Sequence, residues 1–124
     1  MKSSTSSVLK WPRKTEVLAA LERWARTLVD GQPEVVRAGY FGSLSRGDWG
    51  VGSDVDLVLV VETAARPPWQ RPLDYDTAKL PVPADLLVFT RDEWDALASR
   101  DDRFAREMKH VVWVGERGSE IPPR

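Results

Sequence analysis

Residues 54–61 (DVDLVLVV) constrain the fold of this chain more than any other stretch. Side chains along a β-strand alternate between its two faces, so Val55, Leu57, Leu59 and Val61 share one face and Asp54, Asp56, Val58 and Val60 the other. A strand apolar on both faces is predicted to run through the middle of a sheet that is covered on both sides. The two acids stand at the mouth of that strand. Like charges about 5 Å apart at an effective dielectric of ~20 repel by roughly 3 kcal/mol, which calls for a cation or a shared proton.

The flanking segments supply the rest of a layered domain. Residues 15–30 place Val17, Leu21, Trp24 and Leu28 on one stripe with Leu18 and Ala25 beside them, predicting an amphipathic helix that stops at Gly31. Residues 34–41 (EVVRAGYF) lack a helical period and read as a strand that delivers Gly42-Ser43 to a turn. A short helical piece at 44–46 gives way to a loop rich in glycine. Prolines 67, 68, 72, 81 and 83 make 62–83 an irregular crossing segment, which Trp69 and Tyr75 are expected to pin down. Residues 84–89 form a third strand with Asp85, Leu87 and Phe89 on one face. Thr90 and Glu93 fit a capping box opening a helix through Trp94 and Leu97. A helical piece at 104–108 and a fourth strand at 111–114 follow, and residues 1–10 and 116–124 are expected to be flexible. The predicted fold is α+β, a single domain over 1–124 built on a mixed sheet of about four strands, with helices mainly on one face.

Composition removes several chemistries. The chain has 124 residues, no cysteine and one histidine, His110. Thiolate nucleophiles, disulfides and zinc sites built on Cys or several His are therefore excluded. A metal would have to rest on oxygen ligands, which favours magnesium or manganese. The net charge of -1 creates no global attraction to nucleic acid, and no apolar run approaches the ~20 residues of a membrane span. The N-terminal residues lack the apolar core of a signal peptide, so a cytoplasmic location is expected.

Strand-end carboxylates holding a divalent ion, with its remaining positions open to water and phosphate oxygens, suit phosphoryl and nucleotidyl transfer. If residues 84–89 pair beside residues 54–61, Asp85 brings a third carboxylate to the same edge. Gly42-Ser43 supplies what acids cannot: close backbone approach to phosphate and a hydroxyl donor. The glycine loop lacks the Gly-Lys-Ser/Thr close of a P-loop, and Leu57-Val58 stand where a calcium loop needs oxygen ligands.

Gly42-Ser43, ten intervening residues and Asp54-Val55-Asp56 resemble the GS-x10-D-x-D motif of the DNA polymerase β-like nucleotidyltransferase superfamily, and the surrounding GSLSRGDWGVGSDVDLVLVV is similar to its minimal (MNT) members. The resemblance spans roughly residues 15–90. It implies a polymerase β palm-like fold, contact of Gly42 and Ser43 with the nucleotide phosphates, two magnesium ions on Asp54 and Asp56, and a third acid, Asp85, that shares a metal and helps activate the nucleophile. Arg46-Gly47 matches the family's arginine-glycine. Arg46 either meets a substrate phosphate or braces the loop through Asp48. The resemblance further implies ATP as substrate and AMP transfer to a hydroxyl, as in antitoxins that modify a tyrosine of a HEPN-domain toxin. Contact-only neutralisation of that partner, or transfer to a small molecule such as an aminoglycoside, are the other readings. Trp49 is expected to pack its loop down rather than stack on a base, and His110 to be structural. Tyr40 and Tyr75 are considered, and set aside, as self-modification sites.

Overall fold

The computed structural model describes residues 11–118; of the ends expected to be flexible, 1–10 and 116–124, residues 1–10 and 119–124 lie outside the described residues. The elements in chain order are α1 (Lys14–Gly31), β1 (Val35–Phe41), α2 (Ser43–Arg46), β2 (Val55–Val61), a 3-10 helix (Pro68–Asp74), β3 (Ala84–Thr90), α3 (Arg91–Ala98), α4 (Arg103–Met108) and β4 (Val112–Glu116). The strands form one mixed sheet in the order β3-β2-β1-β4. β1 runs antiparallel to β2 and β4, while β2 and β3 are parallel. The strand that is apolar on both faces is thus central, as its composition requires.

The α1 stripe of Val17, Leu21, Trp24, Ala25 and Leu28 packs over β1 and β4 and is buried in one core with Val55, Leu57, Leu59 and Val61. α1 opens with the Arg13 N–H donating to Glu16 Oε1 at 2.8 Å. Gly31 remains helical instead of adopting a left-handed cap, and the extended Gln32 ends the helix. Helices are not confined to that face. Leu97 of α3 and Ala105 and Met108 of α4 bury Phe41 and Val58 in a second, smaller layer with Phe89, Trp94 and Trp113 beside it. The long helix follows the expected one-sided arrangement; the short ones cover the other face because its β2 and β1 side chains are also apolar.

Two expectations for the connecting segments are corrected. Trp69 does not pin the crossing segment, being 77% exposed. Tyr75 does, donating to Glu34 Oε2 at 2.9 Å, and Trp24 Nε1 adds a bond to the Asp76 carbonyl at 3.0 Å. The C-terminal stretch is ordered through Arg117, whose guanidinium donates to the carbonyls of Val29, Val35 and Gln32 where α1 meets β1. The fourth strand accordingly runs on to Glu116, past the apolar 111–114 run, because backbone pairing with β1 does not require apolar side chains. No helix among the described residues is long and apolar enough to cross a membrane.

Candidate active site

The end of β1 and the beginnings of β2 and β3 meet at one edge of the sheet. Antiparallel pairing sets Phe41 opposite Asp56, so the chain leaves β1 at Gly42 directly beside that acid. Gly42 has φ 73° and ψ −144°, a conformation that favours glycine. A Cβ there would stand 2.2 Å from Asp56 Oδ2. Glycine is therefore required twice, once for the backbone and once for the carboxylate it admits. Ser43 opens the single turn of α2, half-buried, with its carbonyl accepting from the N–H of Gly47 and Asp48 at 2.9 and 3.0 Å. Its hydroxyl makes no hydrogen bond to another described residue.

Parallel pairing sets Asp56 against Asp85. Side chains paired in this register share a face, so the third acid comes to the edge that strand alternation suggested. Asp54 lies just outside β2, exposed, and the adjacent Val55 N–H donates to the Pro83 carbonyl at 3.0 Å. Asp56 is the most enclosed of the three. Burial pushes its carboxyl above the usual range, and the charges of Asp85, Glu107 and Asp54 push it further, against the pull of Arg46. Among the described residues no group of three or more Asp, Glu or His side chains is placed to hold a metal ion. Magnesium seldom needs one, since it is held by one or two carboxylates and keeps water and substrate phosphates in its other positions. A carboxylate pair under mutual repulsion, with a further acid at the strand entry, fits such an ion.

A sequence profile of the family described as nucleotidyltransferase domain matches residues 21–114, well over half of the chain. This chain belongs to the nucleotidyltransferase-domain family. Among solved structures it resembles the crystal structure of a protein from Sulfolobus solfataricus described as a candidate nucleotidyltransferase, at 21% identity and a TM-score of 0.58, over 89% of this chain and 93% of that one. At that identity the likeness establishes the shared fold. No curated protein matches the chain. Nucleotidyl transfer is the general activity of the family, whose members use a nucleoside triphosphate and a divalent metal.

The rest of the candidate site comes from parts of the chain that local sequence does not connect. Arg46 sits in a network, with Nη1 3.2 Å from Glu107 Oε2 and Nε 3.6 Å from Asp48 Oδ2, the geometry of a loop brace. The Ser45 hydroxyl donates to the His110 carbonyl at 2.5 Å, tying α2 to the end of α4. Glu107 thereby becomes a fourth acid in the electrostatic surroundings of Asp56. Its position 51 residues beyond Asp56 left no motif to find it by; the only signal was its place on a helical piece next to the predicted fourth strand.

Arg71 was likewise invisible to sequence reasoning. It is 6% exposed, donates to the Arg66 and Val88 carbonyls at 2.8 and 3.0 Å, and forks onto Glu93 at 2.6 and 3.1 Å. The same Glu93 completes the expected capping box, accepting from the Thr90 N–H at 2.9 Å while Thr90 Oγ1 accepts from the Glu93 N–H at 3.2 Å. One carboxylate thus locks the crossing segment, β3 and α3 together. The remaining aromatic candidates are structural: Trp49 packs against the main core, and so do Tyr40 and Tyr75. Burial raises the pKa of both phenols, helped by Glu22 at Tyr40 and by the hydrogen bond to Glu34 at Tyr75.

Proposed function

We propose that the chain transfers AMP from ATP to a hydroxyl acceptor, with magnesium, and that the acceptor is a tyrosine of a HEPN-domain partner protein. The observation that carries this reading is the Asp56–Asp85 register beside a glycine that leaves no room for a Cβ. Magnesium held by Asp54, Asp56 and Asp85 would neutralise charge on the triphosphate and align it. Gly42 and Ser43 would take the phosphates, with the free Ser43 hydroxyl as donor. The acceptor oxygen attacks the α-phosphorus, Asp85 takes its proton, and the bond to the β-phosphate breaks to release pyrophosphate. Asp85 suits that role by its exposure at an edge strand, where an incoming hydroxyl can reach it. A protein acceptor is favoured by the exposed Trp69 and Leu73, 77% and 78% accessible, which offer apolar surface on the 3-10 helix that packs beside β3.

The test is incubation with labelled ATP, magnesium and the purified HEPN-domain protein, read by label transfer and by intact mass. The expected product is the partner carrying one or more AMP units on tyrosine, with none formed by Asp54→Asn or Asp56→Asn. Wild-type transfer by either variant sinks the assignment of the acids. Inhibition of the partner without any mass change would sink AMP transfer in favour of neutralisation by contact.

A further inference from the structure

A groove of about 560 Å³ runs past Gly42 and Ser45 and is lined by Arg46, Arg103, Arg106 and His110, with Glu107 as its one acid. It shares Gly42 with the carboxylate edge, and its three arginines outnumber its single acid, Glu107. The three guanidiniums in the groove are not equivalent. Arg46 is engaged by Glu107 and Asp48. Arg106 donates to the Asp101 carbonyl and lies 3.2 Å from Asp101 Oδ1. Arg103, in the first turn of α4, makes no hydrogen bond or ion pair with any described residue.

A guanidinium that makes no bond within the described residues keeps its planar fork available, and that fork matches phosphate oxygens in shape and charge. The acids at the sheet edge repel phosphate. A phosphate chain crossing Gly42 would move from three carboxylates into a groove where Glu107 is already paired with Arg46 and arginines are in excess. We infer that Arg103 anchors the terminal phosphates of the donor nucleotide, and so sets the preference of the site for triphosphate over monophosphate. This rests on the proposed use of a nucleoside triphosphate. Arg103 acts on binding and on the departure of pyrophosphate, whose β- and γ-phosphates it holds; the nucleophile and its proton lie on the acidic side.

Calorimetric titration of the full chain, in excess magnesium, with inorganic tripolyphosphate and separately with AMP tests the assignment. Arg103→Ala should weaken tripolyphosphate binding about tenfold to a hundredfold, the range for a charge-assisted hydrogen bond, and leave AMP within about twofold. Arg103→Lys should recover part of the loss, since the charge returns without the fork. Arg26→Ala, which removes the same charge from the exposed face of α1, should change neither titration. Unaltered tripolyphosphate binding in Arg103→Ala, or an equal fall for both ligands, overturns the anchor and leaves the proposed function standing. A wild-type protein that binds neither ligand overturns both.

Discussion

Replacing Gly42 by alanine isolates the closest contact of the site. At φ 73° and ψ −144° a residue with a Cβ is strained, at a cost of order 1–3 kcal/mol. The added Cβ would lie 2.2 Å from Asp56 Oδ2, 3.2 Å from its Cγ and 3.4 Å from its Cβ, so it meets the whole carboxylate head. Reaching van der Waals distance requires Oδ2 to retreat by on the order of 1 Å. A displacement of that size in a reacting constellation costs about a hundredfold in rate. The expected outcome is a melting temperature lower by several degrees and a transfer rate about a hundredfold lower. Gly47→Ala is the matched control. Gly47 also has positive φ, 89°, but open space around its Cβ position, so it carries only backbone strain of about 1–2 kcal/mol. Thermal unfolding and single-turnover transfer, measured on both variants, separate strain from displacement. Wild-type transfer by a folded Gly42→Ala, or an equal loss in Gly47→Ala, would refute the reasoning.

Asp56→Asn should raise stability at pH 7 while removing activity. The native carboxyl is pushed up, chiefly by burial and by Asp85, so ionising it opposes folding. That penalty is absent below the ordinary aspartate range, grows as pH rises from the ordinary value to the raised native one, and is constant above it. Urea midpoints in chelator should therefore favour the variant at pH 7 and converge with wild type near pH 3; a wild type more stable at pH 7 would contradict this. Arg71→Leu should cost about 2–3 kcal/mol in urea unfolding, less than breaking a fully buried pair because Glu93 keeps contact with solvent. Arg71 holds the Glu93 carboxyl below its usual range, so this support is present above the ordinary glutamate value and is lost as pH falls through the lowered one. The gap between Arg71→Leu and wild type should then narrow in acid, and a gap independent of pH would count against the pair.

Both halves of the carboxylate edge could be read in the chain because alternation along a strand is a local rule. Asp54, Asp56 and Asp85 stand at strand mouths, and apolar runs of five residues (57–61) and four residues (86–89) identify those strands without reference to anything distant. The glycine-serine turn was legible for the same reason, since a strand that stops at glycine must turn there. Arg71 and Glu107 were not. A charged residue in a polar, proline-rich segment carries no mark that its guanidinium will be buried, because burial is conferred by carbonyls and a carboxylate that arrive from β3 and α3. Trp69 failed in the opposite direction: a large aromatic is expected to anchor a loop, but whether it reaches a core depends on which side of the 3-10 helix meets β3. The two short helices were legible, but not that α3 and α4 pack on the face opposite α1, because they are too short for their apolar residues to show a strong period.

By itself, then, the sequence determined the central doubly covered strand, the helix that covers one side of it, and the chemical kinds of group at the strand mouths. These follow from side-chain periodicity, which extends over only a few residues. The tertiary structure alone decided that Asp85 lies level with Asp56 and not one residue out of step, that Gly42 abuts Asp56 closely enough to exclude a Cβ, and that α4 brings Glu107 and Arg103 to the same edge. Strand register and helix docking are set by the summed packing of residues far apart in the chain, and no local pattern encodes that sum.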